Sequence, residues 1–191
     1  MDSLQADADS SLDSQILRVA TILQTGNIMG DFRQGMRQLA GAVTVVTTGQ
    51  GTDVSGLTAT AVCSLTANPP RLLACLNTSG SSFDLLRRHS RFCVNVIGED
   101  DINIAKNFAG MGMQGASDKF ADGQWLRDNG RAPRLASAIV SFECVLHSMT
   151  LLATHCLAIG DVTNVHLSHA PQRPLLYHDG QFLHACLDLR A

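Results

Sequence analysis

Ala42-Val-Thr-Val-Val-Thr-Thr48, Gly49-Gln-Gly-Thr-Asp53 and Ser55-Gly-Leu-Thr-Ala-Thr-Ala-Val-Cys63 together form the stretch that decides the fold. The first run is dense in β-branched residues, which suit a pleated and half-buried surface. The middle piece is turn-forming, and the third is a second extended run, so the whole reads as an antiparallel hairpin. Working downstream, Asn68-Pro69-Pro70 reads as a loop, because proline lacks an N–H and holds its neighbour extended. Leu72 to Leu76 follows as a buried strand. Ser81 or Ser82 then caps a short helix over Phe83, Leu85 and Leu86. Arg91 to Ile97 alternates as a strand, and Asp100 or Asp101 opens a helix carrying Ile104, Ala105 and Phe108. Gly110 to Gly115 is expected to be mobile, and the chain from there to Pro133 to be a long loop. Three more strands are expected at Ile139 to Met149, His155 to Val165 and Leu175 to Leu187, the last broken by a His178-Asp179-Gly180 turn.

Upstream of the hairpin, Asp31 is placed to cap a helix with Phe32, Met36, Leu39 and Ala40 on one face, ended by Gly41. Ile16, Leu17, Ala20 and Leu23 give Ser14 to Leu23 the spacing of a short amphipathic helix, after a polar tail. The reading is therefore a tail over residues 1–29 and one domain over 30–191. Strands dominate and do not alternate with long helices, so a doubly wound sheet is excluded. No G-x-G-x-x-G or phosphate-binding P-loop follows a strand. A mainly β domain with short helices, closed or nearly closed into a barrel that hides its edges, is the architecture expected.

Composition narrows the function. The chain has 191 residues, 45% of them hydrophobic and 16% charged, with a formal charge of −3. That is a globular composition with an aliphatic core, and no Lys/Arg run is present to track a nucleic-acid backbone. The first ten residues are acidic and polar where a secretory leader is basic and then apolar, and no run reaches the ~18 apolar residues of a membrane span. A cytoplasmic protein with no membrane or nucleic-acid partner is expected. The six cysteines form no C-x-x-C pair and lie mostly in apolar runs, as core thiols in a reducing compartment do. Seven histidines show no H-x-x-x-H on a helix, so no metal site is expected.

Two segments carry chemistry. Alternation along Ser55 to Thr66 puts Thr58, Thr60 and Val62 on one face and Leu57, Ala59, Ala61 and Cys63 on the other. Small and hydroxylated side chains leave room for a flat ring and let main-chain groups reach its polar edge; the same row also fits a strand with a solvated threonine face. Asn77-Thr-Ser-Gly-Ser-Ser82 follows a buried strand and opens a helix, where free N–H groups, hydroxyls and the dipole make an anion cradle. Ser81 or Ser82 as a simple cap is the alternative, and Arg87 and Arg88 read as solvated charges. No nucleophile elbow and no catalytic triad or dyad is spelled out.

Taken in order, Phe32-Arg33, Gly41 to Thr48, Gly56-Leu-Thr-Ala-Thr-Ala61, Ser64-Leu65, Pro69-Pro70, Arg91-Phe-Cys-Val-Asn-Val96, Phe108-Ala109, Asp118-Lys-Phe-Ala121 with Trp125, Phe142-Glu-Cys144, His155 to Val162 and Pro174-Leu-Leu-Tyr177 resemble the flavin reductase-like family. The resemblance covers about Phe32 to Phe182. It implies an FMN-binding split β-barrel and a homodimer with flavin, FMN or FAD, in a groove near the subunit contact. NADH or NADPH would enter over the ring. Carried over by position, Leu57, Thr58, Ala59, Thr60 and Ala61 line the isoalloxazine. Cys75, Leu76 and Asn77 border ring and ribityl chain, Ser79, Ser81 and Ser82 take the phosphate, Asn107 and Phe108 close one side, and His155 lies beside the nicotinamide.

Two departures stand out. Relatives often write Gly-Asp-His where this chain has Ala153-Thr154-His155, and an arginine common after the Asn77 segment is replaced by Ser81. Phosphate binding then rests on hydroxyls and main-chain N–H groups. Hydride transfer between the cofactors needs no protein acid or base, so no side chain is expected to be chemically catalytic. The activity implied is a flavin reductase supplying a separate oxygenase component. The alternatives are a flavoprotein that keeps its flavin and reduces a cobalt corrinoid or ferric complex, and a flavin-binding module without turnover.

Overall fold

A computed structural model describes residues 27–111 and 119–185. The chain runs α1 (Ile28–Arg37), β1 (Gly41–Ala42), β2 (Thr44–Gln50), β3 (Asp53–Ala59), β4 (Val62–Ala67), β5 (Pro70–Asn77), α2 (Ser81–His89) and β6 (Arg91–Val96). A 3₁₀ turn (Glu99–Asp101) leads into α3 (Ile102–Phe108), β7 (Trp125–Leu126), β8 (Arg134–Leu135), β9 (Val140–Leu152), β10 (His155–Leu167), β11 (Leu175–His178) and β12 (Gln181–His184). It is mainly β with short helices. Two compact units are present, Met1–Leu39 and Ala40–Ala191.

Within the larger unit, seven strands pair in the order β3-β2-β6-β9-β10-β5-β4. The edge strands β3 and β4 are consecutive in the chain, joined only by Thr60 and Ala61. Ala59 pairs with Thr44 on one edge, and two residues later the Ala61 carbonyl accepts the Cys75 N–H on the other. Laid flat, seven strands would span roughly 29 Å. A two-residue link reaches about 11 Å at full stretch, so the sheet must curl.

The curl explains the sequence of β2. Every residue from Thr44 to Gly49 is buried, because alternate positions enter two different apolar clusters. Val46 joins Leu72, Ala74, Leu76, Phe92, Val94, Cys144, Cys156 and Ala158, with Phe83 and Leu86 of α2. Val45, with Val43 just before the strand, joins Ile97, Ile104, Ala105, Phe108, Leu135 and Leu175. Burying each large side chain contributes about 1.5–3 kcal/mol, so a run without polar alternation is what a strand between two cores requires. Gly160 on β10 serves the first cluster by its smallness: a Cβ there would overlap the Phe92 ring and Cys144.

Several expectations are corrected. The first helix starts at Ile28, not after Asp31, whose N–H already donates to the Asn27 carbonyl in a helical bond. It ends at Arg37, before Gly41, where Gln38 and Leu39 donate to carbonyls three residues back. The strand expected over Ser55 to Cys63 is two strands, since the sheet turns its corner at Thr60 and Ala61. Pro70 begins β5 rather than ending a loop; paired with Ala67 at the strand's first position, it needs no N–H. The stretch before Pro133 is not all loop, because Trp125 and Leu126 pair with Leu135 and Arg134. The helix expected over 14–23, most of the Gly-rich segment (112–115) and the end of the last strand (186–187) lie outside the described residues.

Candidate functional site

The turn between β5 and α2 is organised by side chains that satisfy one another. Asn77 Oδ1 accepts both the Ser79 N–H, at 2.8 Å, and the Ser79 hydroxyl, at 2.7 Å. Gly80 is extended (φ −107°, ψ 162°) and is the residue from which the helix departs. Ser81 and Ser82 were expected to cap α2, yet they sit inside its first turn. Their hydroxyls meet Ser55 of β3 instead, at 2.8 and 2.9 Å. Their N–H groups belong to the first turn, where a helix offers no carbonyl partner. A Cβ at Gly80 would meet nothing within 4 Å, so the space beside that residue is open.

The β9–β10 hairpin closes one side. His155 pairs with Asn77 in register. The Thr154 carbonyl accepts from both the N–H and the hydroxyl of Thr78, each at 3.0 Å. Cys75 and Leu157 are a register pair, as are Leu73 and Ile159. Directly opposed residues share a face, so these four partly exposed side chains make an apolar outer surface beside the turn.

The other half of the site is β3. A hollow of about 210 Å³ is lined by Val43, Thr58, Ala59, Thr60, Ala109, Met111, Tyr177 and Phe182. This is below the ~300–1,000 Å³ of ligand-engulfing pockets; a flat group would be bound with one side open. The Ala61–Cys75 bond ties this strand to the cradle strand.

The residues singled out in the sequence thus fall into two joined groups. Asn77, Ser79, Ser81, Ser82 and His155 surround the β5–α2 turn, and Thr58, Ala59 and Thr60 line the hollow, with Ala61 and Cys75 between. Four are placed differently. Leu76 is 1% exposed and gives the site only its main chain, and Leu57 packs on the core. Phe108 does not wall a groove: it lies under Gly56 among Phe120 and Trp125, centroids 5.0 and 5.2 Å away. Asn107 turns from the hollow to donate to Asp122 at 2.6 Å. The Thr58 hydroxyl is also committed, donating to the Ala105 carbonyl at 2.6 Å.

Residues to which sequence reasoning assigned no role of their own are Ser55, Thr78, Thr154 and Lys119. Lys119 lies 3.4 Å from the Gly56 carbonyl and 6.0 Å from the centre of the Phe108 ring, a cation next to Ser55 on β3. Its position in Asp118-Lys-Phe-Ala121 was the available signal. Ser55 gave none, because its partners lie 26 and 27 residues away. Burial pushes the Cys144 thiol up to about 12, helped by the charges of Asp161 and Glu143, and raises Cys93 and Cys156 as well. These thiols act as core hydrophobes. Among the described residues no three His, Cys, Asp or Glu side chains converge as metal ligands, and no helix is long and apolar enough to cross a membrane.

A family model described as a flavin reductase like domain matches residues 36–185. The FMN reductase (NADH) RutF of Acinetobacter baylyi is 40% identical over 124 residues, 65% of this chain and 65% of that protein. The aligned length is thus just under two thirds of that relative. The reductase component of 4-hydroxyphenylacetate 3-monooxygenase from Escherichia coli is 30% identical over 160 residues, 84% of this chain and 94% of that one. Among solved structures, the styrene monooxygenase flavin reductase SMOB of Pseudomonas putida S12 superposes with a TM-score of 0.72 at 27% identity, covering 83% of this chain and 99% of its own.

Proposed function

The chain belongs to the flavin reductase-like family, and from that premise we propose that it is an NAD(P)H-dependent flavin reductase, a split-barrel homodimer that hands reduced FMN or FAD to a separate oxygenase component. The observation that carries the reading is the junction of two half-sites: a donor-rich turn at Asn77 to Ser82 and a small-residue strand at Thr58 to Ala61, tied together through Cys75 and flanked by His155.

The residues present fit a flavin. First-turn N–H groups of Ser81 and Ser82 would hold the phosphate, with the dipole of α2 behind them. Ser55 fixes both hydroxyls from beneath, which keeps the donors in place when the ligand is absent. The main chain from Ala59 to Ala61, with Thr60 outside either ladder, would meet the ring's polar edge. A bound flavin supplies the redox chemistry, accepting the hydride equivalent that the nicotinamide carries. What remains for the protein is to hold two flat rings together and exclude other arrangements. His155 would orient the nicotinamide from the neighbouring strand. The apolar outer surface of Leu73, Cys75, Leu157 and Ile159 supports the homodimer, because a second copy seated there would cover the open side of the cradle.

An anaerobic assay crossing FMN and FAD with NADH and NADPH tests this. Loss of nicotinamide absorbance that requires added flavin and saturates in it is the expected result. Flavin that stays bound through purification, with little turnover of free flavin, would move the assignment to a dedicated acceptor such as a cobalt corrinoid or ferric complex. No nicotinamide oxidation under any of the four conditions would reduce the protein to a binding module.

A further inference from the structure

We infer that Thr154 is a positioning residue: its hydroxyl donates to His155 Nδ1, which leaves the imidazole N–H on Nε2 to meet the nicotinamide, and its carbonyl pins the hairpin tip to the cradle. The inference rests on the flavin reductase reading and deepens it.

The geometry is local and closed. Thr154 Oγ1 lies 2.9 Å from His155 Nδ1. A hydroxyl can donate to or accept from an imidazole nitrogen; in the direction inferred, Thr154 donates, Nδ1 accepts and the ring proton sits on the far nitrogen. Nε2–H is then a donor suited to a carboxamide oxygen. The same residue's carbonyl is held by Thr78 through two bonds, each at 3.0 Å. Thr78 is the neighbour of Asn77, which orders Ser79. A chain of hydrogen bonds therefore runs from the phosphate turn through Thr78 and Thr154 to His155. The tip is a two-residue turn, Leu152 pairing with His155 across it, with Ala153 in the left-handed region at φ 50°. A turn this short leaves Thr154 little freedom to point elsewhere. Where the family resemblance implies an acidic residue at this position, a hydroxyl orients the ring without adding a charge.

The test is Thr154→Val, which keeps the shape and removes the hydroxyl, with Thr154→Ser as the conservative rescue. One net hydrogen bond corresponds to about 2- to 10-fold in affinity. Thr154→Val should raise KM for the nicotinamide by that factor, with kcat changed less than KM, and Thr154→Ser should restore it. Thr78→Val, which removes one of two bonds on the Thr154 carbonyl, should move KM in the same direction by less. Heteronuclear NMR of the imidazole nitrogens should show the proton on Nε2 in the unmodified protein and a mixture in Thr154→Val. A proton on Nδ1 in the unmodified protein, or a Thr154→Val protein with unchanged KM and tautomer, overturns the inference. The NMR arm reads out without turnover. A protein that oxidises no nicotinamide would sink the reductase reading while still deciding the tautomer.

Discussion

Glu143 on β9 and Ser55 on β3 are both buried polar residues of the same curled sheet, 8% and 9% exposed, and they are satisfied in opposite ways. Glu143 meets two guanidinium groups and an imidazole: Arg131 at 2.9 Å, Arg134 at 4.0 Å and His166 at 2.9 Å. Ser55 meets the two hydroxyls of Ser81 and Ser82. The Glu143 cluster answers its own carboxylate and closes on itself. The Ser55 cluster contributes no charge and sits at a helix start, whose first-turn N–H groups have no carbonyl partner within the helix. A site that accepts a phosphate needs donors without a resident anion, so under the proposed function the neutral cluster is the binding one and the charged cluster is structural.

The largest effect that probes this contrast is Glu143→Ala. Removing one partner from a buried ion cluster strands the others and typically costs about 3–5 kcal/mol. With Arg131 47% exposed at its side chain, water softens its loss, and a destabilisation of about 3 kcal/mol is expected in urea unfolding. Flavin affinity of the folded fraction should not change. A variant of native stability, or one that folds well and loses FMN, would reverse the assignment of the two clusters.

Ser55→Ala comes next. It removes a buried hydroxyl bridging two others, a loss of about 1 kcal/mol in stability. The more telling readout is ligand choice. FMN affinity should fall about 3- to 10-fold as Ser81 and Ser82 lose their anchor, while riboflavin, which has no phosphate, should bind nearly as before. Equal losses for both ligands would mean that Ser55 supports the ring strand and not the cradle.

How far the sequence reached can be judged from the same residues. Strands and short helices were readable because β-branched runs and turn residues act locally. The segment of Ser81 and Ser82 was legible as a helix start, since a hydroxyl-rich run before an apolar face is a local signal. The cap read for Ser81 or Ser82 does not hold, because the competing partner, Ser55, comes from another strand through tertiary contact. Phe108 goes the other way: the resemblance implies a side chain that closes one side of the groove, and this fold buries it with Phe120 and Trp125. The corner at Thr60 and Ala61 was hidden for a third reason: the run from Ser55 to Cys63 has one uninterrupted alternation, and only the pairing of its two halves with different strands of the sheet demands that it bend.

The smallest effect lies in an exposed counterpart of the Glu143 cluster. Asp161 on β10 pairs in register with Arg71 on β5, whose Nε donates to it at 2.6 Å, and His147 Nδ1 lies 3.1 Å away. The hydrogen bond from Arg71 holds the Asp161 carboxyl below its ordinary value, with His147 adding to it and partial desolvation opposing. A carboxylate with a depressed folded-state pKa stabilises the fold above the pKa of the unfolded chain, and that contribution disappears as pH falls through the folded value. Asp161→Asn should therefore match the parent most closely at acidic pH and fall behind it as pH rises through the carboxylate range, reaching a constant gap near neutrality. Urea midpoints measured from acid to neutral pH give the comparison. Because both partners are in contact with water, the gap should be much smaller than that of Glu143→Ala and should shrink further in high salt. A gap that is independent of pH would show that Asp161 acts by packing alone, and one as large as that of Glu143→Ala would show that burial is not what separates the two clusters.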